Sequence, residues 1–202
     1  MPKPNTFVVP EYKLVVLGIP KCGQTSMKRA FLGPEVYNVH DRRAHTDTLF
    51  YIHNWEVQKY VDKGYKTISI VRNPYDRFLS FYSQKIARPN KYVKSRTNTF
   101  YTGMPFEECV RTVCNTADSL SEIHYRSQTA QIILDGKMPF YTGSLENYSA
   151  SWKELEELLG RDLPPLPWEN RTDPDKSIWT PELKGMIYAR YQRDFRLLGY
   201  EK

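Results

Sequence analysis

Cysteine is scarce in this chain and supplies no framework. Cys22, Cys109 and Cys114 make an odd set with no CxxC spacing, which argues against a disulfide scaffold and against a thiolate zinc site. Long apolar runs are missing too: nothing approaches the roughly 20 residues that span a bilayer, so no membrane span is expected. The opening MPKPNTFVVPEYK is too short and too proline-rich for a signal peptide. These absences predict a cytoplasmic protein, unless the sequence is trimmed from a longer membrane-anchored one. There are no internal repeats or low-complexity tracts, and no convincing acidic metal site.

What is present fits one domain over residues 1–202, long enough to bury a proper core. Hydrophobic residues at 40% and charged residues at 26% are ordinary for a soluble globular chain. The formal net charge of +6 favours anionic partners such as nucleotides, sulfated or carboxylated glycans, nucleic acid or acidic lipid, without choosing among them.

Apolar patterning alternates between strand-like and helix-like segments. Leu14-Val15-Val16-Leu17 and the β-branched run Thr67–Val71 read as buried strands, and Glu35–His40 as a short one. Helices are expected over Ser26–Leu32, in part of His45–Asp62, from Pro74 to about Ala87, over Phe106–Cys114 and over Ser151–Leu159. A last helix opens at Thr180-Pro181, with Thr180 as N-cap and Pro181 at the first position, and carries Leu183, Ile187, Tyr191 and Phe195 as a core stripe. Arg88–Gly103 and Leu163–Pro174 read as loops. The alternation predicts an α/β fold with a mainly parallel sheet, whose ligands sit beyond the carboxyl ends of its strands.

One such end is Lys13–Arg29, KLVVLGIPKCGQTSMKR. Strand, tight turn and helix N-terminus form the usual geometry for holding a phosphate on backbone N–H groups. Against the Walker pattern GxxxxGK[ST], Gly18, Gly23 and Thr25 match, but Gln24 stands where the lysine belongs. The lysine within the turn is Lys21, displaced towards the strand. A second end is Arg72 in IVRNPYDRFLS. Its guanidinium is suited to a phosphate clamp, with Ser80 two turns into the next helix able to add a hydroxyl; alternatively, it is a surface ion pair. Arg77 can contribute likewise or pair with Asp76.

Together, PKCGQTS and VRNPYDRFLSFY resemble the 5′-phosphosulfate loop and 3′-phosphate segment of the PAPS-dependent sulfotransferases. The carbohydrate (Golgi-type) branch and its small bacterial-like relatives are most similar. HYRSQTAQ, GSLENYSASWKELEELLG and WTPELKGMIYARYQRDFRLLGY also resemble family segments, so the likeness covers nearly the whole chain. It implies a P-loop-like three-layer α/β fold with helices flanking the sheet, PAPS as donor and PAP as product, and no metal. Lys21 matches the lysine at the transferred sulfuryl group; Cys22, Gly23, Gln24, Thr25 and Ser26 lie in the loop around the 5′-phosphate; Arg72 and Ser80 match the 3′-phosphate pair. Relatives often carry Thr-Gly-Gly or Val-Ala-Cys where this chain has Cys22-Gly23-Gln24. Cys22 reads as a small loop residue, with a redox-sensitive thiol as the alternative.

The general base is expected after the first helix. His45 and then His40 are the candidates, histidine being suited to neutral pH, with Glu35 and Asp41 nearby. His53 is expected to pack beside Trp55, and His124 to shape the site. Tyr82, Arg88, Lys91, Tyr92, Lys94, Arg96 and Tyr101 suit a glycan or anionic small-molecule acceptor, or else form a solvated loop; basic residues scattered along the chain argue against nucleic acid. If the sequence is a trimmed catalytic domain, the Golgi lumen replaces the cytoplasm. Two other readings stay open. One is a P-loop nucleotide kinase or NTPase, since EYKLVVLG is also similar to the opening of small GTPases. The other is a non-catalytic PAP- or glycan-binding module.

Overall fold

A computed structural model describes residues 5–33, 50–88, 99–167 and 175–202. In chain order its elements are β1 (Thr6–Val9), β2 (Leu14–Leu17), α1 (Gln24–Leu32), β3 (Phe50–Ile52), α2 (Val57–Val61), β4 (Lys66–Val71), α3 (Pro74–Phe81), α4 (Phe106–Cys114), α5 (Thr129–Ile132), β5 (Tyr141–Ser144), α6 (Tyr148–Leu159), α7 (Pro181–Arg190) and α8 (Gln192–Leu198). They fall into two compact units: Met1–Val71 with Gln131–Arg171, and Arg72–Ala130 with Thr172–Lys202.

The first unit holds a five-stranded sheet in the order β3-β1-β2-β4-β5. Leu14–Leu17 is buried at every position, as a central strand covered on both faces requires. Register aligns Phe7 with Val16, Val16 with Ile68, and Ile68 with Tyr141. That row, with Val9, Leu14 and Ile70, faces Met27, Ala30 and Phe31 of α1 and Tyr148, Trp152 and Leu155 of α6 in one apolar cluster.

The sheet is mixed, which corrects the expected mainly parallel one. β2–β4 and β4–β5 are parallel, but β1 pairs antiparallel with both β2 and β3. Thr6–Val9 lies among prolines that mask it as a strand. Pro10–Tyr12 forms a single 3₁₀ turn closed by Lys13 in the left-handed region, at φ 50°. So short a connection can only return the chain antiparallel. His45–Asp62 is helical in part, as expected: among its described residues a 3₁₀ turn over Asn54–Glu56 leads into α2 at Val57–Val61, and what was not expected is the edge strand Phe50–Ile52 before them. The expected strand Glu35–His40 lies outside the described residues.

The second unit is helical. Phe78, Phe81, Phe106, Tyr125, Leu183, Ile187, Tyr191 and Phe195 share one buried cluster, so the terminal stripe is core as expected. The helix carrying it is interrupted at Tyr191 (φ −112°, ψ 24°) into α7 and α8. Thr180 caps α7, its hydroxyl accepting from the Leu183 amide at 3.2 Å. α3 continues into a π-helical turn over Tyr82–Ile86, close to the expected end at Ala87. Of the loop expected over Arg88–Gly103, Phe100 is buried in the cluster.

Candidate functional site

β2 and β4 are parallel, so Leu17 and Val71 end at the same edge of the sheet, and the chain turns there in two different ways. After Leu17 the turn passes through Lys21 (φ 72°) and Gly23 (φ 70°) in the left-handed region. α1 then starts with no side-chain cap and no acidic residue in its first turn. Its first intrahelical bond runs from the Met27 amide to the Gly23 carbonyl at 3.1 Å. The amides of Gln24, Thr25 and Ser26 therefore have no acceptor within the helix, and they concentrate the positive end of its dipole. Such a cradle fits a phosphate or phosphosulfate group.

Two packing contacts hold the cradle open. Gln24 folds its side chain back over Gly18, and Nε2 donates to the Asn5 carbonyl at 2.8 Å. A Cβ at Gly18 would lie 2.1 Å from that Nε2 and 2.4 Å from the Asn5 oxygen, so any larger residue there forces both to shift. Below the helix start, the Tyr148 hydroxyl donates to the Gly23 carbonyl at 3.0 Å. Burial pushes the Tyr148 pKa up, keeping it a donor. The side chain at the Walker-lysine position is thus engaged with backbone. Lys21 is half-buried, as is Thr25, whereas Cys22 and Ser26 are buried.

After Val71 the chain is held by side chains of the second unit. The Arg72 amide donates to Gln128 Oε1 at 2.9 Å, and Gln128 Nε2 donates back to the Arg72 carbonyl at 2.7 Å. Asn73 caps α3, with Oδ1 accepting from the Tyr75 amide at 2.9 Å, and Pro74 occupies the first turn, where its missing N–H costs nothing. Arg72 itself is half-buried, and Ser80, near the end of α3, is buried. The structure overturns the reading of Arg77 as a second phosphate ligand or a partner of Asp76. Its buried guanidinium donates to the carbonyls of Arg126 (2.8 Å) and Ile123 (3.0 Å), while Asp76 pairs with Lys176 at 2.9 Å.

His40 and His45, with Glu35 and Asp41, lie outside the described residues, as do Lys91, Tyr92, Lys94 and Arg96. His53 stacks on Trp55 as expected, ring centroids 4.0 Å apart. His124 Nδ1 lies 2.8 Å from a Glu122 carboxylate oxygen. Of the acceptor candidates, Tyr82 donates to the Met104 carbonyl and Tyr101 to Glu108, while Arg88 is exposed.

Three residues that hold these turns have no role assigned from the sequence, although Gln128 falls in the family-like segment HYRSQTAQ: Tyr148, Gln128 and Asp194. The fully buried Asp194 accepts from the Gln128 amide at 2.7 Å, and from the Thr129 amide at 2.9 Å and hydroxyl at 2.6 Å. A signal did exist for it, because Asp194 follows Tyr191 by three residues and so falls on the apolar face of the terminal helices. An acid on a buried stripe demands partners.

The family model described as the sulfotransferase family matches residues 4–201. No curated protein and no solved structure matches the chain significantly.

Proposed function

This chain belongs to the sulfotransferase family and is a PAPS-dependent sulfotransferase, and we propose that it transfers the sulfuryl group to a carbohydrate hydroxyl by in-line attack. In this reading residues 1–202 act as one sulfotransferase domain, and β2, its turn and α1 are a P-loop-like unit. PAPS supplies an electrophilic sulfuryl group on a phosphate leaving group, joined to an adenosine that carries a 3′-phosphate. The first-turn amides at Gln24–Ser26 receive the 5′-phosphate, with the Thr25 and Ser26 hydroxyls beside them. The Lys21 ammonium stabilises the charge that develops on the bridging oxygen, and such electrostatic stabilisation is usually the largest catalytic term. Arg72 and Ser80 hold the 3′-phosphate. His45, or failing it His40, takes the proton of the acceptor hydroxyl.

The observation that carries this reading is the Gln24 contact with Asn5. A Walker loop aims a lysine at its phosphates, whereas here that position is turned onto the Asn5 backbone and Lys21 is the cation of the turn. Calorimetry with PAP, ADP and GTP, with and without magnesium, tests the donor. Metal-independent preference for PAP supports the sulfotransferase, and a magnesium-dependent preference for GTP or ADP refutes it. Turnover of labelled PAPS against a glycan panel tests the acceptor. Sulfation of phenols or amines in place of glycans would overturn the carbohydrate assignment, and PAP binding without turnover on any acceptor would leave a binding module.

A further inference from the structure

The second unit contains a polar relay that ends on Arg72. Its inner member is Asp194 on α8, fully buried, with Oδ2 taking the Gln128 amide and Oδ1 taking the Thr129 amide and hydroxyl. Its outer member is Gln128, also fully buried, whose carboxamide both accepts from the Arg72 amide and donates to the Arg72 carbonyl. A paired donor and acceptor on one residue imitates a β-bridge. It satisfies both backbone groups of Arg72 at once.

The loop that carries Gln128 is gripped from several sides. Arg77 of α3 donates to the carbonyls of Ile123 and Arg126, and the Tyr191 hydroxyl donates to the Tyr125 carbonyl. The Ser127 amide donates to Asp118, which Arg190 of α7 holds at 2.8 Å. Most of these contacts fix backbone, and the Gln128 carboxamide carries the block on to Arg72. Burial of this many polar groups is costly unless all are satisfied. Simple packing of α8 would have been served as well by a leucine at 194.

We infer that Gln128 and Asp194 are positioning residues for Arg72, fixing the backbone from which its guanidinium meets the 3′-phosphate of the donor. The inference rests on the reading of Arg72 given above. It makes preference for a 3′-phosphorylated nucleotide depend on two side chains that never touch the nucleotide. A small displacement of a charged clamp weakens binding steeply, because a guanidinium holds phosphate through directional paired hydrogen bonds.

The test compares the affinities of PAP and AMP, which differ only in the 3′-phosphate, by calorimetry on the full chain. Arg72→Ala should lose most of the PAP-over-AMP preference. Gln128→Leu keeps the side-chain volume and removes both bonds, so it should lower that preference about ten-fold, the size expected for two net hydrogen bonds, with AMP affinity unchanged. A purely structural role would instead reduce the folded fraction and weaken both ligands alike. Gln128→Glu, which can accept from the Arg72 amide but no longer donates to its carbonyl, should fall between and covers the case in which the leucine variant does not fold. Asp194→Asn should act in the same direction, since its amide sets a donor against donors. Full preference in Gln128→Leu or in Gln128→Glu, with the preference lost in Arg72→Ala, overturns the relay alone. Full preference in Arg72→Ala overturns the reading of Arg72 and the relay with it.

Discussion

Lys28 offers a quantitative test of the sheet–helix packing behind the start of α1. It lies on α1, is only 5% exposed, and places Nζ 4.7 Å from the Tyr51 ring centroid and 5.7 Å from that of Phe7. Burial lowers its pKa from 10.5 to about 8. At about 1.4 kcal/mol per pKa unit, holding the ammonium there costs roughly 3 kcal/mol relative to the neutral amine. Below pH 8 the folded and unfolded chains both carry the proton and the whole cost is present. Between pH 8 and 10.5 the unfolded chain keeps a proton that the folded one has released, so the Lys28 contribution to stability rises with pH. Lys28→Met keeps an unbranched stem without the charge. Allowing about 1 kcal/mol for the lost cation–π contacts, the variant should be more stable at pH 7 by about 2 kcal/mol. That advantage should disappear by about pH 10. Urea titrations from pH 7 to 10, followed by the fluorescence of Trp152 in the same apolar cluster, measure it. Tyr148 and Cys109, whose pKa values burial raises, lower stability in alkali. They do so in both proteins and cancel from the difference. A gap that stays constant with pH, or a less stable variant at pH 7, would refute the assignment of a desolvated ammonium.

Three further outcomes are expected. Lys21→Ala should abolish sulfuryl transfer while PAP binding survives in calorimetry; near-normal turnover would remove Lys21 from its role. Gly18→Ala should destabilise the fold by about 1–3 kcal/mol in thermal melts, as overpacking does. Adding Gln24→Ala should restore only part of that loss, since the backbone clash with Asn5 persists. Thr180→Ala removes the cap on the Leu183 amide and should cost about 1 kcal/mol, with no change in PAP affinity.

Much of this could be read from residues close together in the chain. β2, β4 and the start of α7 follow from β-branched or apolar runs and from Thr180-Pro181, because backbone sterics and capping act over a few residues. The displaced Lys21 was equally legible, since motif spacing is a property of the chain alone. The antiparallel β1 was not, because its strand signal is short and flanked by proline. Nor was the use of Gln24, Arg77 and Asp194. The Gln128 amide finds Asp194 66 positions along the chain, and Tyr148 reaches Gly23 across 125. A buried polar group must be satisfied, but which distant segment satisfies it depends on how the elements pack. Local chemistry therefore identified the two turns proposed to meet the donor, and long-range packing set which side chains hold those turns in place.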